Sequence, residues 1–364
     1  MALLEYTNFT VPDVVKKAVN SFYNNDPLLQ ALKSRGQVKR SGGSNVRMRR
    51  VLGRHSDVVE INATNMSVPL NKMETFGTLT GDWARYIKPI ILPHIDRDRM
   101  QSKEDRATWV KDTTEAALSS LRNDVLRRLY IGDSTVSVLA GMGTLNGSST
   151  VTGTSTGLEK GALEFTVPGT QSSTGNTYLG QARTEDTTNY TDNWFNQYVD
   201  HGGIGVSFLK SAEEVKITAD TYTDDAEGIS IGVLSIADQI LLGEEVRTYP
   251  GGGTAAAASA MVYTSDDLKS GKAHPTVWMA NGVRYYSNRW MTDGLMQGSG
   301  SGTSHVYLLN PNTIEYWVNA NNDFRVTKFT DHLQTSNQDA DIGYIICEMQ
   351  FVVSNLLANG CLSS

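Results

Sequence analysis

The strongest constraint on this chain lies between Ser102 and Leu129. Val110, Thr114, Ala117, Leu118, Leu121, Val125 and Leu129 recur there at i, i+4, i+7, i+8, i+11, i+15 and i+19, the spacing of one helical face. Acidic residues come early and Arg122, Arg127 and Arg128 late, as the helix dipole favours, and Gly132 stands where a C-terminal cap belongs. About 28 residues at 1.5 Å each make a helix of roughly 42 Å. That length exceeds an ordinary globular helix and suits the backbone of a flat or extended subunit better than one piece of a sphere.

Charge is the second constraint. Residues 1–100 hold 15 Lys and Arg against 9 Asp and Glu, whereas residues 101–364 hold 17 against 30, within a net charge of -7. Lys33, Arg35, Lys39, Arg40, Arg47, Arg49, Arg50 and Arg54 follow one another without an intervening acid. A basic arm precedes an acidic body. It is either a solvated loop or an arm that lies on an acidic surface of another subunit or near a polyanion. The overall balance does not describe a nucleic-acid reader.

Ahead of the basic run, Thr10 and Pro12 start a short amphipathic helix whose stripe is Val14, Val15, Ala18, Val19, Phe22 and Tyr23, stopped at Asn24-Asn25-Asp26-Pro27. It docks either on another surface or on its own domain. Residues 45–92 read as a long two-stranded excursion, with Val46 and Met48 in one arm, Trp83 to Leu92 in the other, and a polar tip near Asn62 to Glu74. Such a hairpin is marginal alone and gains stability from a partner surface.

In residues 141–176, 13 of 36 are Ser or Thr and 8 are Gly, a surface loop with short strands or an insertion. Beyond it the spacing predicts a helix over Ile229–Val246. A strand at Thr276–Ala280 follows, then Asn281 as the cap of a helix carrying Val283, Tyr286 and Trp290. Near the C-terminus Ile345, Cys347, Met349, Phe351 and Val353 alternate with residues that include Glu348 and Gln350, the pattern of a half-buried antiparallel strand with Cys347 as a small core residue.

Catalytic patterns are thin. The six histidines have no HExxH or HxH spacing, and Cys347 and Cys361 form no CxxC. Gly202-Gly203-Ile204-Gly205 and Gly251-Gly252-Gly253-Thr254 lack the residues of a phosphate cradle, and no GxSxG elbow occurs. Asp220, Asp224, Asp225 and Glu227 do not follow the calcium-loop spacing. The sequence therefore nominates no catalytic, cofactor or metal residue. No apolar run reaches the roughly 18 residues that span a bilayer, and two cysteines suit a reducing compartment.

Taken in order, these elements resemble the major capsid proteins of tailed double-stranded DNA bacteriophages with the Hong Kong 97-like fold. Asn176-Thr-Tyr-Leu-Gly-Gln-Ala-Arg183 followed by Asn193-Trp-Phe-Asn-Gln-Tyr198 is similar to the family's Gly-Gly-Ile-Asp/Ser-Arg and Trp-Trp-Arg-Asn passage. It departs from that passage at Leu179 for Gly and Phe195 for Trp. His274-Pro-Thr-Val-Trp-Met279 resembles the Pro-Asp-Leu-Ile-Val strand. Tyr307-Leu-Leu-Asn310, Phe324, Gln338-Asp-Ala340 and the run from Gln350 to Leu362 resemble the closing strands and a terminal Asn-x-x-x-x-Gly-x-Leu.

The resemblance implies an α+β chain with an N-terminal arm at 1–44 and an extended loop at 45–92. It implies a peripheral domain with a spine helix at 93–140 and 306–352. It also implies an apical domain at 141–305 and 353–364, with an insertion at 141–176. The function it implies is mechanical: self-assembly into hexamers and pentamers of an icosahedral shell around double-stranded DNA, in a virion assembled in the bacterial host cytoplasm. Lys39, Arg40, Arg47, Arg49, Arg50, Arg54 and Lys72 would make contacts between subunits. Some members cross-link a Lys near the hairpin tip to an Asn near the C-terminus, where Lys72 and Asn355 stand here. Implied partners are further copies of the chain, a portal, a separate scaffolding protein, since Met1 leads directly into the arm, and optionally a decoration protein. Packaged DNA would be held without sequence specificity, and no membrane or cofactor is implied. An encapsulin-type cargo shell and, in another class, a β-rich surface hydrolase or adhesin are the alternatives.

Overall fold

A computed structural model of the 364-residue chain describes residues 14–15, 22–23, 26–51, 76–100, 102–131, 177–179, 181–182, 194–200, 206–221, 228–236, 238–239, 242, 278–288, 290–291, 305–331 and 339–363. The expected features at 52–75, 132–176 and 243–277 lie outside them. The chain divides into two compact units. Unit 1 comprises residues 1–46, 82–128 and 316–350; unit 2 comprises 47–81, 129–315 and 351–364.

Unit 1 is organised around one strand. β1 (Val38–Ser41), β4 (Ala84–Pro93), β12 (Ile314–Asn319), β13 (Arg325–Val326), β14 (Thr330–Asp331) and β15 (Ala340–Val353) form a six-stranded sheet. β15 pairs antiparallel with β4 through ten consecutive positions, Ala340↔Pro93 to Met349↔Ala84. β14, β13 and β12 line its other edge, and β1 lies parallel to β12. The half-buried strand expected here is instead buried on both faces. Its polar residues are satisfied inside: Asn319 Nδ2 donates to Glu348 Oε2 at 2.7 Å and Gln350 Nε2 to the Asp82 carbonyl at 2.7 Å.

The second correction concerns residues 84–92. They are not the return arm of the excursion but strand β4 of this sheet, and the return arm is β3 (Phe76–Asp82), which pairs with β2 (Asn45–Val51). Pro89 and Pro93 cannot donate to a ladder, and a proline-bearing strand belongs at a sheet edge.

Helix α1 (Pro27–Ser34) is capped by Asp26, whose Oδ1 accepts from Leu28 and Leu29 N–H, and it buries Leu28, Leu29 and Leu32 completely. Before it, Val14, Val15, Phe22 and Tyr23 are helical and buried. Phe22 packs on Phe324 and Tyr316 with ring centroids 5.5 and 6.4 Å apart. Of the two positions open to that stripe, these contacts occupy the one within its own unit.

α2 (His94–Arg99) leads into α3 (Lys103–Ile131), a single helix of 29 residues. The Ser102 hydroxyl accepts from Asp105 N–H at 2.9 Å and caps it. Val110, Thr114, Ala117, Leu118, Leu121, Val125 and Leu129, the stripe expected from spacing, are all buried. The Thr114 hydroxyl returns to the Val110 carbonyl at 2.7 Å, so its burial leaves no donor unpaired.

Unit 2 holds a mixed sheet in the order β7 (Gln197–Asp200), β16 (Gly360–Ser363), β11 (His305–Leu309), β8 (Ile231–Leu234), β10 (Val283–Ser287) and β9 (Trp278–Ala280). The short pair β5 (Thr177–Tyr178) and β6 (Gln181–Ala182) stands apart from it. Helix α4 (Val206–Asp220) packs Phe208, Ala212, Val215 and Ala219 against Ile229, Leu234, Tyr285, Val306 and Leu362. Of the two helices expected in this region, the first begins later than expected, after a strand, and the second is a strand. Residues 231–234 pair with β11 and β10, and helical residues begin only at Ile236. Asn281 and Gly282, at φ +53° and +78°, make a hairpin turn rather than a cap, so Val283–Ser287 returns as a strand.

Gly232 shows how closely this sheet is packed: a Cβ there would stand 2.4 Å from the ring of the fully buried Tyr285. Gly232→Ala is expected to lower the unfolding free energy by about 1–3 kcal/mol. Gly42→Ala, where nothing lies within 4 Å, should be nearly neutral. Denaturant midpoints of the two variants check the contrast.

Candidate functional site: a basic ribbon, an acidic helix face and a closing polar knot

The basic run becomes a ribbon because its strands alternate. In β2, Val46 is buried and Met48 half-buried, whereas Arg47 and Arg49 are exposed. In β3 Leu79 is buried while Thr78 and Thr80 are exposed. The period of two therefore puts the arginines on the solvent face. The base of the ribbon is fixed: Asn45 Nδ2 donates to Asp82 Oδ1 at 3.0 Å, and Trp83 Nε1 donates to the Gly43 carbonyl at 3.0 Å. Gly43 sits at φ +118°, open to glycine and strained for other residues.

The expected contact residues fall into three groups. Arg47 and Arg49 are exposed on the ribbon. Lys39 and Arg40 lie on β1, where Arg40 Nη2 reaches Asp323 Oδ2 at 2.7 Å inside its own unit. Arg54 and Lys72 lie outside the described residues, as does the side chain of Arg50. Asn355 is only 6 % exposed.

Facing solvent along α3 are Glu104, Asp105, Asp112, Glu115 and Asp124, with Lys111 and Arg127 the basic residues among its exposed positions. Lys111 sits 3.9 Å from Glu115, an exposed pair of small consequence. The face carries net negative charge, opposite to that of the ribbon. Among the described residues no group of three His, Cys, Asp or Glu is placed to hold a metal ion, and no helix is long and apolar enough to cross a membrane. Burial pushes the Cys347 thiol up to about 12, with the Asp323 and Glu348 charges adding to it, so the thiolate that nucleophilic chemistry needs is suppressed. Burial also raises Asp323, against the opposing pull of Arg40.

The third feature lies in unit 2, where sequence stretches far apart converge. The Tyr178 hydroxyl accepts from Val353 N–H at 3.0 Å and donates to the Phe351 carbonyl at 3.4 Å. Its ring stands 6.3 Å from that of the fully buried Trp194. Asn359 is the hub of a buried knot. Its Oδ1 accepts from Asn310 N–H, and its Nδ2 donates to Thr313 Oγ1 and to the Asn355 carbonyl, each at 2.8 Å. Gly360 follows because a Cβ there would meet Val215 of α4 at 2.3 Å. Sequence reasoning singled out Asn355 and passed over Asn359; an Asn directly before a Gly opening a strand was the available signal. It also passed over α4, although Phe208, Ala212, Val215 and Ala219 repeat at i, i+4, i+7 and i+11.

Leu179 turns between β5 and β6 at φ +49°. This is the position where the resembled family carries Gly, and the backbone keeps the left-handed conformation that Gly would favour.

Comparison with solved structures agrees with this geometry. The chain matches the cyanophage A-1(L) capsid asymmetric unit with a TM-score of 0.54 at 14% identity, over 93% of this chain and 91% of that one. It has a Hong Kong 97-like capsid fold. A Mycobacterium phage Bobi structure (TM-score 0.49, 10% identity, 92% and 89% covered) is also similar. So is the SrpI encapsulin complex of Synechococcus elongatus PCC 7942 (0.49, 9%, 91% and 86%). No family model and no curated protein matches the sequence.

Within this capsid fold the Asn359 knot is a load point for stability. Asn359→Ala leaves the Asn310 amide and the Asn355 carbonyl buried without their partner and is expected to cost about 3 kcal/mol. Tyr178→Phe, which removes one hydroxyl, should cost about half as much. Equilibrium unfolding of both variants provides the check.

Proposed function

We propose that the chain is the major capsid protein of a tailed bacteriophage, a structural and non-enzymatic subunit that closes into an icosahedral shell of hexamers and pentamers around double-stranded DNA. The observation that carries this reading is that the chain exposes both an Arg47/Arg49 ribbon and an acidic face on α3, within a chain of capsid fold. In the shell the ribbon of one copy lies along the acidic helix face of the next, and the charges that oppose each other fix its register. α3 acts as the spine of a peripheral domain built on the β15 sheet, and the sheet of β7, β16, β11, β8, β10 and β9 belongs to the apical domain. Residues 1–44 form the N-terminal arm.

Ribbon and arm bury their area against neighbours, so the interface they make is large relative to their own core. Lys39, Arg40, Arg50, Arg54 and Lys72 join Arg47 and Arg49 in these contacts. A portal, a separate scaffolding protein, optionally a decoration protein, and DNA held without sequence specificity complete the particle, which assembles in the host cytoplasm.

Charge reversal tests the reading. Arg47→Glu, Arg49→Glu and Arg50→Glu together are expected to leave a soluble, folded subunit that forms no shells, seen as the loss of the particle peak in sedimentation; shells of normal yield would contradict it. Because Asn355 is buried, assembled particles are expected to run as a single monomer band on a denaturing gel. A ladder of covalent multimers would instead establish a Lys72–Asn355 type of cross-link.

A further inference from the structure

The hairpin between β9 and β10 turns on Asn281-Gly282, and the chain carries two more Asn-Gly pairs, Asn146-Gly147 and Asn359-Gly360. Asn146-Gly147 lies outside the described residues. The other two are the same dipeptide in opposite surroundings. Asn281 and Gly282 are both exposed, and nothing stands within 4 Å of where a Gly282 side chain would begin. The Asn281 carboxamide makes no hydrogen bond to the described residues. Asn359 is fully buried, and both its side-chain atoms are held: Oδ1 by the Asn310 N–H, Nδ2 by Thr313 Oγ1 and the Asn355 carbonyl.

An Asn side chain that precedes Gly is open to attack from within the chain. The main-chain nitrogen of Gly282, once hydroxide has taken its proton, adds to Asn281 Cγ, and a glycine crowds that nitrogen least because it has no Cβ. A C–N bond forms, the carboxamide nitrogen leaves as ammonia, and a succinimide ring results. Water then opens the ring at either carbonyl, giving Asp or isoaspartate. One water is consumed and one ammonia released, with nothing oxidised or reduced.

In the closed turn Asn281 and Gly282 both hold positive φ, +53° and +78°, as a two-residue hairpin turn requires. The attack needs Asn281 to rotate out of that conformation, so it proceeds when the tip opens. β9 has three residues, lies at the edge of its sheet and is paired with β10 alone, so opening there breaks few bonds. At Asn359 the same rotation would dismantle the knot and disturb β16 between β7 and β11.

We propose that Asn281-Gly282 is a site of self-modification, at which the folded subunit converts Asn281 to Asp or isoaspartate while Asn359-Gly360 stays intact. The two products differ in their effect on the sheet. Asp keeps the backbone and accepts the left-handed turn as Asn does. Isoaspartate routes the chain through the side chain and lengthens the backbone by one carbon, which a two-residue turn pairing Ala280 with Val283 does not absorb. β9 is then released from β10. The chemistry runs inside a single chain, so its failure would leave the shell reading standing.

Incubation of the purified full-length protein at mildly alkaline pH, followed by peptide mass mapping, tests the site. The peptide holding Asn281 is expected to undergo the amide-to-acid mass change at least about tenfold faster than the peptide holding Asn359. In concentrated urea, where neither turn nor knot survives, the two pairs should convert at similar rates. Protection of the β9 amides from hydrogen exchange should fall in the isoaspartate fraction and persist in Asn281→Asp. Equal rates for the two pairs in the folded protein, or conversion of neither, would overturn the site, and full β9 protection in the isoaspartate fraction would overturn the release. The rate comparison uses the unaltered chain, so no variant has to fold for it.

Discussion

The structure of unit 1 depends on the hydrogen-bonded ladder of β15. A strand flanked on both edges and buried on both faces must satisfy every main-chain group through its neighbours, because water reaches none of them. β4 supplies one edge through ten paired positions, and β14, β13 and β12 supply the other in turn. The apolar side chains between them, Ile345, Cys347, Met349 and Phe351, are fully buried. Everything else in the unit is placed against this frame. Tyr316 brings the Phe22 and Tyr23 rings onto the sheet, and β1 extends it beside β12.

Unit 2 solves a different problem, the closing of a mixed sheet by a strand from the extreme C-terminus. β16 fits between β7 and β11 because Gly360 lets Val215 approach and because Asn359 gathers the polar groups of Asn310, Thr313 and Asn355. A buried polar knot is costly when incomplete and specific when complete. It works together with Leu362, which β16 buries in the core beneath α4.

The sequence was legible where one physical signal dominated. The α3 stripe followed the 3.6-residue period without interruption, and each of its expected residues is buried. The sequence misled where two signals competed. Val283, Tyr286 and Trp290 have helical spacing, but Asn281-Gly282 is a two-residue hairpin turn, and the turn decided. Ile231–Leu234 is too short an apolar run for its period to separate strand from helix. β15 looked half-buried because Glu348 and Gln350 are polar, yet Asn319 and the Asp82 carbonyl satisfy them inside, and no local pattern reports partners so distant in sequence. The Asn359 knot was invisible for the same reason. The resemblance to capsid subunits rested on the order of weak stretches, and two of them, at 176–183 and 193–198, meet in space at the Tyr178–Trp194 contact.

The proposed role requires that many copies of this chain close on themselves through surfaces that a single copy leaves exposed. Electron microscopy of the purified, full-length protein under assembly conditions tests that requirement most directly. The account predicts closed icosahedral shells of genome-enclosing size built from hexamers and pentamers. A field of dispersed monomers or small open oligomers, with no closed shells, would contradict it.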